Sequence, residues 1–271
     1  GCEVYVAPRT RFDKESGLDN SAYHLILLAE TQEGYQNLCK LSAVSYLEGF
    51  YYKPRVDHET LRKYSKGLIC LSACIAGEVP QAFLRDNKEE AYALAKEYLD
   101  IFGKDNYFIE IQDHGIPEEQ YVTPFLVQMA KDLGVGLVAT NDCHYVYRED
   151  ADFHDILLCV QTGRTRDDET RMTFDSDNFY IKSRTEMEEL FGAYPEALDN
   201  TVKIAERCHI NLDKHPKVDI PEFDVPEGFT LESYLCHLCE EGLQKRYEVI
   251  TPELRQRLDY ELGIINEMKF P

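Results

Sequence analysis

The segment at residues 136–144, GLVATNDCH, is an apolar strand that runs directly into an Asp-x-His triplet. Residues two apart in an extended or turning backbone point to the same side, so Asp142 and His144 can converge on one cleft or on neighbouring metal ions. The alternative is that Asp142 caps the helix that follows and His144 is merely packed. The segment therefore predicts a strand whose end is a candidate site.

Short apolar runs alternate with longer segments of 3.6-residue period from residue 2 to about residue 163. This alternation is typical of βαβ units and predicts a mostly parallel sheet, in a barrel or a doubly wound arrangement, with helices outside it. In both arrangements chemistry collects where strands end and helices begin. The predicted strands cover residues 2–7, 23–29, 67–72, 106–112 and 136–140, and the predicted helices cover 32–47, 88–102 and 117–133.

The later part of the chain is predicted to be helical. The stretch from Asn211 to Gly228 holds three prolines and no clear period, which indicates a linker and a domain boundary near residue 212. The chain opens at Gly1 within a strand and stops at Pro271 without terminal character, so we expect a piece of a longer protein. The predicted helices in this part cover residues 184–191, 195–208, 231–247 and 252–268.

The composition excludes several classes of protein. The 271 residues include 50 Asp and Glu against 29 Lys and Arg, a net charge of −21, which opposes tight duplex binding through bulk charge. With 44% hydrophobic residues the chain can bury a core, which excludes intrinsic disorder. No apolar run approaches the roughly 18 residues of a membrane helix, and nine cysteines at scattered spacing are typical of a reducing compartment. We therefore expect a soluble, cytoplasmic protein.

Three other strand regions carry possible metal ligands. Glu3 lies within the first strand, where a carboxylate is costly to bury unless it is paired or metal-bound, and His24 opens the second strand. Cys74 follows the third strand, where a turn could present its sulfur. Taken singly, Glu3 and His24 are more often solvated or hydrogen-bonded, and Cys74 is more often a buried thiol. Together with Asp142 and His144 they predict a multi-metal cleft, and a thiolate ligand favours zinc over magnesium.

Eight motifs along the chain strongly resemble the N-terminal part of the bacterial replicative DNA polymerase III alpha subunits. They are GCEVYVA at 1–7, YHLILLA at 23–29, GYQNL at 34–38, GFYYKPR at 49–55, LSAC at 71–74, EIQDHGIP at 110–117, ATNDCHY at 139–145 and PEALDNT at 195–201. The motifs occur in the order and with the spacing of the family, so the resemblance covers essentially the whole chain.

The resemblance implies an α/β fold, an incomplete distorted (βα) barrel of PHP (polymerase and histidinol phosphatase) type followed by an α-helical segment. Residues 1–212 resemble the PHP domain without its first strands, and residues 213–271 resemble the helical lead-in to the polymerase palm.

The resemblance also implies roles for the candidate ligands. Glu3 matches the carboxylate that bridges metal ions in the family, and His24 and Cys74 match its partners on one ion. Asp142 and His144 match the late ligands of the other ions. The family's His-x-His, Asp and further His in the first strands match no residue of this chain, so only the set of Glu3, His24 and Cys74 is expected to be complete.

The implied function is DNA replication, in the catalytic subunit of a DNA-directed DNA polymerase, a nucleotidyltransferase. The PHP domain implies zinc or manganese ions and either a 3′–5′ exonuclease activity or docking of the separate proofreading exonuclease subunit. The palm and its magnesium ions lie outside the matched region, so this piece is not expected to polymerise. The expected partners are DNA, the proofreading exonuclease and other replicase subunits, and no membrane. The alternatives are a stand-alone PHP phosphoesterase acting on small phosphate esters, which the helices at 231–268 disfavour, and a metal-free scaffold.

Other polar residues are expected to have local roles. Cys236 and Cys239 lie on one predicted helix, whereas zinc-binding Cys-x-x-Cys pairs usually lie on a turn, so a zinc site with Cys208, His209 and His215 is disfavoured. His114 is predicted to lie in a turn after a strand, where a simple turn role is favoured over a place bordering the cleft. Asp150 and His154 are predicted to form a surface pair, and His58 to be solvated at a helix start.

The basic clusters leave two interpretations open. Residues 53–55, 164–171 and 214–217 are either solvated faces and contacts to other domains, or contacts to DNA. The aromatic run Phe50-Tyr51-Tyr52 is able to stack on a nucleotide base, although core or interface packing is the default for such residues.

Overall fold

The computed structural model describes residues 1–212 and 223–271. The chain forms two compact units, Gly1–Asn211 and Leu212–Pro271. Within the described residues the first unit carries a sheet of six strands and eight α-helices, and the second unit carries two helices.

The strands and helices have the following bounds. The strands are β1 (Cys2–Val6), β2 (Tyr23–Ala29), β3 (Arg55–Val56), β4 (Leu68–Leu71), β5 (Tyr107–Ile111) and β6 (Gly136–Ala139). The helices are α1 (Gln32–Leu47), α2 (His58–Tyr64), α3 (Glu78–Leu84), α4 (Lys88–Phe102), α5 (Pro117–Leu133), α6 (Ala151–Thr162), α7 (Arg184–Phe191), α8 (Pro195–Arg207), α9 (Leu231–Arg246) and α10 (Pro252–Glu267).

The sheet is open and has the strand order β3-β1-β2-β4-β5-β6. β1 and β3, β4 and β5, and β5 and β6 pair in parallel, whereas β2 is antiparallel to both β1 and β4. The predicted α/β class with an incomplete barrel and a helical segment is confirmed. The prediction of a mostly parallel sheet is confirmed, since three of the five strand pairings are parallel. β2 is the exception, because residues 7–22 join β1 to β2 without a helix, and only a parallel pair needs a long crossover.

The core lies on both faces of the central strands. All residues of β4 and β5 are buried, which is why their sequences are nearly continuous apolar runs. On one face Leu27 and Ile109 belong to the large cluster covered by α1 to α5, and on the other Phe108 and Val138 pack with Ile204 of α8. The two-sided burial fixes the ends of these strands, where the candidate site residues lie.

The predicted helices agree closely with the structure. The helices predicted at 32–47, 88–102, 117–133 and 184–191 have those bounds, and the other three end one residue earlier than predicted. The start of α1 follows from its cap, because Thr31 Oγ1 accepts a hydrogen bond from the Gly34 amide at 3.1 Å. β3 and α3 were not predicted. β3 has only two residues and α3 is a Pro-containing helix of seven residues, and segments this short give no periodic signal.

Two further findings concern membrane-spanning helices and the cysteines. No helix in the part of the chain that the structure describes has both the length and the apolar character needed to cross a membrane. All nine cysteines fall in the described ranges, and each is a free thiol.

We predict that Gly34→Ala destabilises the first unit. A Cβ at residue 34 would lie 1.8 Å from the Gly67 carbonyl oxygen, which belongs to backbone and has to be displaced. Such overpacking costs about 2 kcal/mol, and urea unfolding followed by circular dichroism measures it. Gly263→Ala is the control, because a Cβ there meets nothing within 4 Å and alanine favours the α10 helix by up to about 1 kcal/mol. Equal stability of Gly34→Ala and the wild type would contradict this packing.

Candidate metal-binding site

Glu3 and His24 meet on one face of the β1–β2 pair. The antiparallel register places Tyr5 opposite His24 and Glu3 opposite Ile26, so Glu3 and His24 are diagonal neighbours. His24 Nδ1 lies 2.5 Å from Glu3 Oε1. The hydrogen bond from His24 lowers the pKa of Glu3 more than burial raises it. Glu3 is therefore a carboxylate held in place by the ring of His24.

Cys74 joins this pair from the end of β4. The chain turns at Ala73, which has a φ of 66°, and the turn is fixed to β2 because the His24 amide donates to the Ala76 carbonyl at 3.0 Å. The Cys74 sulfur lies 3.7 Å from His24 Nδ1. Burial raises the pKa of the Cys74 thiol to about 12, and the nearby carboxylates of Glu3, Glu110 and Asp142 act in the same direction. The thiol is therefore neutral unless a cation stabilises the thiolate.

Asp142 and His144 follow the end of β6. Asp142 has a left-handed φ of 41°, and His144 Nδ1 donates to the Asp142 carbonyl at 2.8 Å. Burial raises the pKa of Asp142, and the charge of Glu3 adds to this effect, while His144, His114 and His24 oppose it. Asp142 and His144 thus interact electrostatically with Glu3. The structure thus brings Glu3, His24 and Cys74 into contact and leaves Asp142 and His144 close to them.

The five residues do not form a ready metal centre. Across residues 1–212 and 223–271, no three His, Cys, Asp or Glu side chains are arranged to hold a metal ion. His24 Nδ1 instead makes a hydrogen bond to Glu3. The metal site stays a prediction.

The alternative roles for Asp142 and His144 have different outcomes. Asp142 does not cap a helix, because the next α-helix begins at Ala151 with Asp150 as its N-cap. His144 does pack, with its ring 4.8 Å from Phe174 and 5.6 Å from His154. His154, predicted to pair with Asp150, lies in this aromatic cluster instead, and the Asp150 carboxylate accepts from the Tyr147 amide.

His114 and Glu119 form a buried pair that supports the Asp142 loop. Their side chains are 1% and 5% exposed, and His114 Nδ1 lies 2.6 Å from Glu119 Oε1. The other ring nitrogen of His114 lies 2.9 Å from the Asn141 carbonyl, directly before Asp142. His114 therefore holds the loop that follows β6. The sequence predicts a turn at His114 but does not single out Glu119, because an acidic residue in the first turn of a helix is ordinary.

Glu110 is a second buried carboxylate that the sequence analysis did not single out. It accepts from the Ala73 amide at 2.9 Å and from Gln112 Nε2 at 3.1 Å, and it also accepts from the Thr140 hydroxyl. Burial raises the pKa of Glu110 to about 6, although these hydrogen bonds oppose the change. Glu110 therefore ties the ends of β4 and β6 together. Its signal in the sequence is one acidic residue within the apolar strand YFIEI.

Several other predictions are resolved by the structure. Cys236 and Cys239 lie on the continuous helix α9, as predicted, and His215 lies outside the described residues. His58 is not solvated as predicted, because it is 21% exposed and lies between the carboxylates of Glu78 at 2.8 Å and Glu97 at 3.0 Å.

The basic clusters at 164–171 and 214–217 give no evidence for a DNA contact. Arg164 pairs with Asp168, and Arg166 and Arg171 pair with Asp155. The cluster at 214–217 falls outside the described residues.

Comparison with known proteins supports the resemblance found in the sequence. Residues 1–114 match the family model of the PHP domain. The chain is 48% identical over 272 residues to the DNA polymerase III subunit alpha of Treponema pallidum, a match that covers 100% of this chain and 23% of the relative. It is 46% identical over 272 residues to the protein of that name from Borreliella burgdorferi, covering 100% of this chain and 24% of the relative. It is 47% identical over 257 residues to the protein of that name from Thermus aquaticus, covering 91% of this chain and 21% of the relative.

These matches bear on two expectations. Residues 1–114, part of the range 1–212 expected to be a PHP domain, match the PHP family model. The resemblance to the alpha subunits is confirmed, because the whole chain is similar to a part of DNA polymerase III alpha subunits. The chain spans about a quarter of the length of the curated relatives it matches.

We predict that Glu119→Gln strongly destabilises the first unit. The change removes one partner of a buried, hydrogen-bonded pair and leaves the His114 ring without its carboxylate, which costs about 3–5 kcal/mol. Urea unfolding measures this loss. Glu118→Gln is the matched control because Glu118 is the exposed neighbour on the same helix turn, and it should change stability by less than about 0.5 kcal/mol. Similar values for the two variants would contradict the role of the pair.

We also predict a pH-dependent effect at Glu110. Its folded pKa of about 6 lies above the ordinary value of 4.5, so the folded state loses stability as pH rises through this window, by about 2 kcal/mol in total. As the pH rises from 4.5 to 7, the unfolding free energy of the wild type should therefore fall relative to that of Glu110→Gln. The unfolding free energies are measured with a chelator present, so that no bound metal ion affects the titration of Glu110. A difference that is constant with pH would argue against the buried carboxyl.

Proposed function

We propose that this chain is a PHP-type module, with adjoining helices, of the catalytic alpha subunit of a bacterial replicative DNA polymerase. The observation that carries this proposal is the similarity of the whole chain to proteins named DNA polymerase III subunit alpha, at 46–48% identity for two of them. We extend the PHP-type module to residue 212 and assign residues 213–271 to a helical lead-in to the palm. The complete protein would act in the cytoplasm on DNA, with magnesium at the palm.

We further propose that Glu3, His24 and Cys74 would hold a divalent zinc or manganese ion. The donor chemistry fits, because a carboxylate at 2.5 Å and a thiol at 3.7 Å from one imidazole nitrogen suit a borderline ion. When bound, such an ion would lower the pKa of a water molecule and neutralise charge on a phosphoryl group.

The surrounding residues have roles that follow from their contacts. Glu3 fixes the orientation of the His24 ring, and Glu110 holds the Ala73 amide so that the turn presents Cys74. Asp142 and His144 follow the end of β6 and add a carboxylate and an imidazole to the set of candidate donors. This arrangement supports binding and hydrolysis of a phosphodiester, as in a 3′–5′ exonuclease.

A second candidate function is a metal-free scaffold that docks the proofreading exonuclease. Two observations favour it. The described side chains are not arranged to hold an ion, and burial keeps the Cys74 thiol in its neutral form. In that case Glu3 and His24 would serve as a local hydrogen-bonded pair that fixes β1 to β2.

Metal analysis of two cysteine variants separates these functions. After incubation with zinc or manganese and removal of free ions, we expect the wild-type chain to retain about one equivalent by elemental analysis. Cys74→Ser should lose most of it, because the candidate thiolate ligand is gone. Cys70→Ser is the control, since Cys70 is buried within β4 and its sulfur is directed at the Leu71 carbonyl.

The outcomes are distinct. Retention by the wild type and Cys70→Ser, with loss in Cys74→Ser, supports the metal-dependent function. A wild-type chain that retains no ion supports the scaffold, and equal retention in both variants removes Cys74 from the ligand set. Circular dichroism verifies that each variant is folded.

A further inference from the structure

An exposed turn at Tyr51–Lys53 lies beside the candidate site. Lys53 Nζ lies 5.4 Å from the centre of the Tyr5 ring, and the Tyr5 ring lies 5.2 Å, edge to face, from the ring of His24. Two ring contacts therefore connect the ammonium group of Lys53 to the Glu3–His24 pair. Across the described ranges, no carboxylate lies within salt-bridge distance of Lys53. In a chain of charge −21, an exposed lysine without an acidic partner is available to an anion.

The same turn presents an aromatic side chain to solvent in an unusual backbone conformation. Tyr52 is 66% exposed and has a left-handed φ of 57°. That conformation is uncommon for a bulky residue and persists only where surrounding structure imposes it. The Tyr51 amide donates to the Lys53 carbonyl at 3.0 Å, which closes the turn with Tyr52 at its tip.

The buried side chain of Arg55 supports this turn. Its side chain is fully buried and donates to the carbonyls of Gly49, Asp19 and Asp13 at 2.8–3.2 Å. Its guanidinium lies 5.3 Å from the centre of the Tyr51 ring. The backbone of the turn is thus supported from the protein interior before any ligand arrives, which reduces the entropy lost on binding.

We propose that the Tyr51–Lys53 turn binds the single-stranded nucleic acid on which the candidate site acts. Lys53 contacts a phosphate and Tyr52 stacks on a base. This assignment rests on the proposed phosphodiester chemistry of the site. A positively charged group combined with an exposed ring is the usual means of holding a single strand without reading its sequence. The net negative charge of the chain keeps this binding weak and local.

Fluorescence polarisation of the 271-residue chain with a labelled strand of ten thymidines, in EDTA, tests the proposal. The salt dependence reports the phosphate contact. Lys53→Gln should reduce the slope of log affinity against log salt by about 0.7, the share of one phosphate on a single strand. Lys88→Gln is the matched control because Lys88 lies over another tyrosine ring, that of Tyr92 on α4.

A second variant tests the stacking. Tyr52→Asn removes the ring and keeps the left-handed backbone, which asparagine tolerates. It should weaken binding of the thymidine strand about tenfold and leave binding of an abasic strand with as many phosphates unchanged. Tyr260→Asn is the control, since Tyr260 is 60% exposed with Arg257 beside its ring.

The results separate this inference from the proposed function. An unchanged salt slope in Lys53→Gln, equal losses of Tyr52→Asn on both strands, or no binding by the wild type at low salt would overturn the turn as a docking element. A surface that binds a protein partner instead would give the last of these results, no binding of the strand by the wild type. Metal retention by Lys53→Gln should equal that of the wild type, so failure here leaves the metal test of Cys74 intact.

Discussion

The structure depends on placing several carboxylates at one edge of a sheet whose central strands are fully buried. Each buried acid needs donors, since an unpaired charge in a core costs several kcal/mol, on the order of the whole stability of a domain. Glu110 obtains them from one residue just after each of β4, β5 and β6, and Glu119 obtains them from His114. These bonds cross between elements, so satisfying the acids also fixes the ends of the strands. The candidate site is built on that framework.

The framework explains why the site is acidic and yet incomplete as a metal centre. Cys74 stays a neutral thiol and the pKa of Asp142 is raised because burial and the neighbouring carboxylates disfavour a further negative charge at this edge of the sheet. A cation would relieve this cost by favouring the thiolate and the carboxylate together. The same physics therefore permits two states, a hydrogen-bonded edge without an ion and a charged edge around one.

Most of the fold could be predicted from the sequence because its signals are local. The cap at Thr31 and the glycine at residue 134 mark the ends of α1 and α5, and they act within one turn of a helix. The antiparallel direction of β2 could not be predicted, since strand direction is decided by the connection at 7–22, which carries no periodic signal. Of the candidate site, the sequence predicts Glu3, His24 and Cys74 as donors, and the structure brings them into contact. The pairing of Glu119 with His114 was missed, because pairing depends on tertiary packing.

The turn at Tyr51–Lys53 shows how a strongly acidic protein can still present a site for an anion. Repulsion from a net charge of −21 acts over a Debye length of about 10 Å at moderate salt, whereas a lysine in direct contact with a phosphate acts over a few ångströms. A fixed lysine next to the site therefore selects the position of a phosphate even where the whole surface opposes binding. Binding is then weak, but the bound phosphate is well oriented. Arg55, buried and bonded to backbone carbonyls, contributes to this orientation because it holds the turn rigid without offering its own charge to solvent.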